Sequence, residues 1–151
     1  MHHFEYTVTT KASPALAWDV YMRWETWPTF ANIYGDLRWR QGRPWEVGSR
    51  MDIEILRPVK TVIDHMIICC EPPQELGWID RALGVIMGQW VKFEPTPAGG
   101  TRVRTWGEIS PSGVAFGGKT VERLVAVFTE TWYENFRMLC DELAAEALVS
   151  V

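Results

Sequence analysis

The chain has 151 residues and a mass of 17.4 kDa, enough for one domain, 1–151, with a proper core. Apolar residues make up 47% and charged residues 23%, which excludes disordered and collagen-like chains, and no apolar run approaches the roughly 20 residues a membrane helix needs. A net charge of −4 leaves no global basic field for a nucleic acid backbone.

Phe4, Tyr6 and Val8 alternate with Glu5, Thr7 and Thr9, the pattern of a half-buried strand. Ser13 then suits an N-cap and Pro14 the first helical position, where its missing N–H costs nothing. Ala17, Val20, Tyr21 and Trp24 follow helical spacing. Pro28 is expected to end this helix and to bias Trp27 towards an extended conformation. One more short helical turn is expected between Thr29 and Tyr34, ahead of Gly35.

A series of strands comes next. Leu37, Trp39 and Gln41 alternate with Arg38 and Arg40; Met51, Ile53 and Ile55 alternate with Asp52 and Glu54. Residues 61–70 are β-branched and apolar up to Glu71-Pro72-Pro73, and a short strand is expected from Leu76 to Asp80. Val85 to Glu94 and Thr101 to Ser110 read as a hairpin joined at Pro95 to Gly100. Turns of hairpin length imply an antiparallel meander, because parallel pairs need longer crossovers. After a glycine-rich loop, Ser110 to Gly118, the period changes. Val121, Leu124, Val125, Phe128, Trp132, Phe136, Leu139 and Leu143 recur at three- and four-residue steps, so one long helix runs from Val121 to about Leu148.

The odd count of cysteines (Cys69, Cys70 and Cys140) argues against a disulfide framework, and with no apolar leader at the N-terminus the expected location is cytoplasmic. His2, His3 and His65 are the only histidines, and no H-E-x-x-H, H-x-x-E-H or C-x-x-C spacing is present, so no metal site is expected. Nor is there a phosphate-cradling glycine motif or a G-x-S-x-G elbow, and the expected cofactor is none.

Each strand has one apolar face and the long helix one apolar stripe; the economical solution lays that stripe against a curved sheet. A twisted sheet wrapping one helix cannot follow it along its whole length. Where the two diverge, large side chains or a ligand must fill the space. The sequence resembles a known family at this point. Ser13-Pro14-Ala15-Leu16-Ala17-Trp18-Asp19-Val20 and Trp24-Glu25-Thr26-Trp27-Pro28 look like the start of START-like helix-grip proteins (the SRPBCC superfamily), and more narrowly of the polyketide cyclase/dehydrase group. Val47-Gly48-Ser49-Arg50, Glu71-Pro72-Pro73 before Leu76 and Trp78, and Gly99-Gly100-Thr101-Arg102-Val103 stand in the order this family shows. The resemblance implies an α+β helix-grip fold: a curved antiparallel sheet of about seven strands wrapped around a long C-terminal helix, with one or two short helices after the first strand. It also implies an elongated apolar cavity between sheet and helix.

Strand parity supplies candidates for the cavity wall. With the charged positions facing solvent, Trp39, Met51, Ile53, Ile55, Val91, Phe93 and Val103 point inward, and so do the polar Gln89 and Thr105. In 61–70, Asp64 outside puts Ile63, His65 and Ile67 inside, although a β-bulge would invert part of this. Val121, Val125, Phe128 and Trp132 belong to the half of the helix where the cavity should open, and Trp27 and Phe30 are placed to close the other side. Every one of these residues is also explained by plain core packing. His65, Gln89 and Thr105 are the polar candidates for orienting a ligand or for catalysis, with backbone-bonded core groups as the alternative. The basic cluster Arg38, Arg40, Arg43, Arg50, Arg57 and Lys60 reads either as a solvated sheet face or as an anion site at a cavity mouth.

Three functions fit. The first is binding of a small hydrophobic or amphipathic molecule (a lipid, polyketide or aromatic metabolite), with Gly113, Gly117 and Gly118 hinging a lid. The second is a cofactor-independent polyketide aromatase/cyclase or dehydratase that uses the same cavity. The third is a protein-interaction module with a filled core, with Trp45, Trp90 or Trp106 exposed for an interface. The partners expected are a small hydrophobic ligand, no nucleic acid, no stable membrane insertion, and a monomer or homodimer.

Overall fold

The computed structural model describes residues 2–111 and 118–149. Seven described strands, β1 (His2–Thr10), β2 (Tyr34–Gln41), β3 (Arg50–Ile55), β4 (Thr61–Glu71), β5 (Glu75–Ala82), β6 (Val85–Pro95) and β7 (Thr101–Pro111), form one sheet. The order is β1-β7-β6-β5-β4-β3-β2 and every neighbouring pair is antiparallel. Between β1 and β2 lie α1 (Pro14–Met22), a 3-10 turn (Trp24–Thr26) and α2 (Trp27–Phe30); α3 (Gly118–Val149) follows the sheet. This is the α+β arrangement expected from the sequence. No described helix is long and apolar enough to cross a membrane.

Local chemistry explains most boundaries. The Ser13 hydroxyl caps α1 by accepting the Leu16 N–H at 3.2 Å, with Pro14 in the first turn. The expectation for Trp27 is corrected. Its φ and ψ are −53° and −41°, so it opens α2 with Pro28 in the first turn instead of extending away from α1. Pro28 costs no hydrogen bond there, and Trp27 is anchored independently: its ring is 4% exposed and Nε1–H donates to the Tyr21 carbonyl at 3.0 Å. The short helix therefore starts before the expected 29–34 segment and overlaps it only at Thr29 and Phe30, and Tyr34 is claimed by β2, opposite Ile55. The strand expected over 76–80 extends to Glu75–Ala82 because it is paired on both sides.

A register shift in the β4–β5 pairing falls between Ile67 and Cys69. Strict alternation from Ile67 would send Cys69 inward. The extra residue turns Cys69 to the outer face, beside Gly77 and the Trp90 ring, and leaves Cys70 packed against the core. Gly77 suits the outer position because a Cβ there would sit 2.6 Å from the Trp90 ring.

One end of the interior is solid. Trp18 meets Phe93 edge-on at 5.3 Å, and Tyr21 meets Phe93, Phe136 and Trp132 at 5.6, 5.4 and 5.1 Å. Along the edge of the sheet, α3 is clasped to β1. The Tyr6 hydroxyl donates to the Glu134 carboxylate, and the Thr10 hydroxyl and Lys11 N–H donate to Asp141 Oδ1 at 2.6 and 2.8 Å. Arg137 joins both acids, at 2.9 Å to Glu134 and 3.0 Å to Asp141. Burial pushes Asp141 up, but these bonds outweigh it and hold the group below its ordinary value; the Tyr6 and Arg137 bonds likewise hold Glu134 down.

Candidate functional site

At the other end, sheet and helix separate around a cavity of about 250 Å³. Its mouth lies between the β3–β4 turn, the β5–β6 turn and the first half of α3, where the lining residues Arg57, Pro58, Leu83 and Phe128 are exposed. The wall then descends along the strands from Ile55 and Thr61, through Ile53, Ile63 and Val85, to His65, Asp80 and Met87, and ends on Trp78, Gln89 and Leu76. At about 3.3 Å per strand residue, Thr61 to His65 alone spans roughly 13 Å. Side-chain size along α3 accounts for the hollow. Its mouth half presents Val121, Leu124 and Val125 to the space, whereas Trp132, Tyr133 and Phe136 fill the region below.

Apart from Arg57 and Thr61 at the mouth, the polar groups of the wall lie near its floor. His65 is 4% exposed, and its Nδ1 lies 2.6 Å from Asp80 Oδ1. The other oxygen of Asp80 accepts Trp78 Nε1–H at 3.1 Å. A carboxylate only accepts, so the Nδ1 proton belongs between His65 and Asp80. Nε2 is buried and has no partner among the described residues. Gln89, 6% exposed, donates to the Thr105 hydroxyl at 2.8 Å, and Thr105 passes its own proton to the Trp90 carbonyl at 2.7 Å. The Tyr133 and Tyr21 hydroxyls share a hydrogen bond of 2.7 Å. Trp132 Nε1–H donates to the Tyr34 hydroxyl at 2.8 Å. Burial pushes the Tyr133 phenol up to about 12 and the Tyr21 and Tyr34 phenols well above their ordinary value; the Asp80 charge adds to the rise in all three.

Of the residues proposed for the cavity wall, Trp27, Ile53, Ile55, Ile63, His65, Gln89, Val121, Val125, Phe128 and Trp132 line this cavity. Eight others stand elsewhere: Ile67, Val91, Phe93 and Val103 are buried in packed core. Met51 points inward as expected but is 0% exposed within packed core, next to His65 on the neighbouring strand. Trp39 packs on Trp45, Phe30 on the outer side of Trp132, and Thr105 lies behind Gln89. Sequence reasoning missed Tyr21, Tyr34, Trp78, Asp80 and Tyr133. For Asp80 a signal existed: Leu76, Trp78, Asp80 and Ala82 share one parity, so the acid sits on the apolar face of its strand. Arg57 is the only member of the basic cluster that lines the cavity; Arg40 bridges Asp52 and Asp64 at 2.9 and 3.1 Å on the outer face. The proposed lid glycines Gly113 and Gly117 lie outside the described residues, and Gly118 is the first residue of α3. Trp45, Trp90 and Trp106 are each half-buried. Among the described residues, no group of three or more His, Cys, Asp or Glu side chains is placed to hold a metal ion.

The sequence pattern of the family described as polyketide cyclase/dehydrase and lipid transport matches residues 1–141. The chain belongs to this family. No curated protein matches it in sequence. Solved structures carry the same helix-grip architecture at low identity. Ara h 8.0201 is 14% identical with a TM-score of 0.76, over 92% of this chain and 97% of that one. A START superfamily protein from Mycobacterium smegmatis is 14% identical with a TM-score of 0.76, over 95% and 99%. Protein CV1439 from Chromobacterium violaceum is 11% identical with a TM-score of 0.71, over 93% and 99%. At such identities the likeness is one of fold alone. In this polyketide cyclase/dehydrase-family member the most polar feature inside the grip is the His65–Asp80 pair.

Proposed function

We propose that the chain is one ligand-binding domain that holds a small hydrophobic or amphipathic molecule in the cavity between its sheet and α3. The supporting observation is the cavity itself: about 250 Å³, open at one end and walled mostly by aliphatic and aromatic side chains, with most of its polar groups near the floor and Arg57 and Thr61 at the mouth. Binding is driven by burial of apolar area at about 25 cal/mol per Å², and the polar groups set orientation. A filled-core interaction module is at odds with this hollow. Denaturing mass spectrometry of the purified protein tests the proposal. A co-purified lipid, polyketide or aromatic metabolite is expected; its absence, together with failure of any hydrophobic fluorophore to bind, would reject it.

One observation favours a second reading, a cofactor-free cyclase-type enzyme. A histidine oriented by a carboxylate at the floor of an apolar cavity is an arrangement suited to proton transfer. On that reading His65→Ala lowers turnover of a polyketone and leaves fluorophore binding intact.

A further inference from the structure

We propose that the cavity selects uncharged apolar molecules bearing a hydroxyl group, such as a phenol or an alcohol, and that His65 Nε2 accepts the hydroxyl proton. The inference rests on the ligand-binding reading above and adds the chemistry of the guest. Two observations carry it. First, His65 is almost wholly buried, forms part of the cavity wall, and leaves Nε2 without a partner among the described residues. The Nδ1 proton is directed to Asp80, so in the neutral ring Nε2 is a lone-pair acceptor. A buried acceptor left unpaired carries a desolvation penalty, and a ligand hydroxyl relieves it. Nε2 has essentially no exposed surface, so the guest reaches it only when the wall around it repacks.

Second, the charge at this depth is negative. Asp80 lines the cavity, both its oxygens are occupied by His65 and Trp78, and its field acts on Tyr21, Tyr34 and Tyr133. In a poorly hydrated space that charge repels a carboxylate brought to the same floor. The cationic lining residue, Arg57, is exposed at the mouth and donates to the Asn32 carbonyl at 2.5 Å. A fatty-acid headgroup placed deep in the cavity would meet Asp80, not an arginine.

Three probes of one shape test this by calorimetric titration: 2-naphthol, 2-methylnaphthalene and 2-naphthoate. Expected is 2-naphthol binding about tenfold tighter than 2-methylnaphthalene, and 2-naphthoate weakest. Asp80→Asn removes the charge and keeps the shape, so it should raise the affinity for 2-naphthoate relative to 2-naphthol. If a variant fails to fold, the unmodified protein with ¹⁵N-labelled histidine gives the answer. The His65 Nε2 resonance should move with 2-naphthol and stay in place with 2-methylnaphthalene. Equal affinities for 2-naphthol and 2-methylnaphthalene, a still Nε2 resonance, or a preference for 2-naphthoate overturns the hydroxyl inference and leaves the cavity reading intact. Failure of all three probes to bind overturns both.

Discussion

Replacing Phe136 by Ala tests the division of the interior into a filled end and a hollow end. Phe136 is 0% exposed and meets Tyr21, Trp132 and Tyr133 at ring-centroid distances of 5.4, 5.6 and 6.4 Å. Truncation deletes the ring from a site without solvent and leaves a void between rigid aromatic neighbours, so the cost is about 4 kcal/mol. Val125→Ala is the control. Its side chain is half-buried and already borders open space, so no new void is enclosed. Two methyl groups at about 0.8 kcal/mol each, halved for partial burial, give about 0.8 kcal/mol, and the helix propensity of Ala offsets a few tenths of that. Equilibrium urea unfolding followed by tryptophan fluorescence measures both. With an m-value of about 1.5 kcal/mol per molar, the two midpoints should differ by about 2 M. Equal losses in the two variants, or a loss below about 1.5 kcal/mol for Phe136→Ala, would refute the placement of the hollow.

The β1–α3 clasp makes stability acid-sensitive: Glu134 and Asp141 have folded pKa values below their ordinary 4.5 and 3.8, so their contribution is full above those values and lost as pH falls through the depressed ones. Glu134→Gln should flatten the acid limb of a stability profile read from urea midpoints; an unchanged limb would remove the clasp from the account. The buried phenols act at the opposite end. Tyr133 is raised to about 12 from 10.0, so its contribution is full below pH 10 and lost as pH rises towards 12. Tyrosinate absorbance of the folded protein should therefore lag behind that of the urea-unfolded protein, and coincident titrations would contradict the burial. Gly100→Ala should cost about 2 kcal/mol in a thermal melt, because the added Cβ would sit 2.3 Å from the Thr10 carbonyl oxygen, a backbone atom with no rotamer to escape into; a neutral result would mean that β1 and the β6–β7 turn are not pressed together as described.

Much of the fold is legible in local pattern. Alternation marks the strands because a pleated chain sends successive side chains to opposite faces, and the three- and four-residue spacing from Val121 to Leu143 marks α3 by the same geometric logic. Local rules misjudged Trp27, where the bias before a proline yielded to an indole anchored on Tyr21, and they could not locate the bulge that turns Cys69 outward.

The candidate site divides along the same line. Parity shows that Met51 and Ile53 both face inward, two residues apart on one strand, but one fills core and the other borders the cavity. The difference depends on how far α3 stands from the sheet at each level, a distance set by Trp132, Tyr133 and Phe136 packing from far along the chain. Likewise the sequence supplies His65 and Asp80, but their meeting at 2.6 Å depends on the register between β4 and β5, fixed by the turn after Glu71 and the bulge beyond Ile67. The amino-acid order by itself determined which face each side chain occupies, because that follows from backbone geometry over a few residues. Only tertiary packing decided which inward-facing groups surround empty space and which polar atoms lack partners, because those are properties of contacts between segments, not of any segment alone.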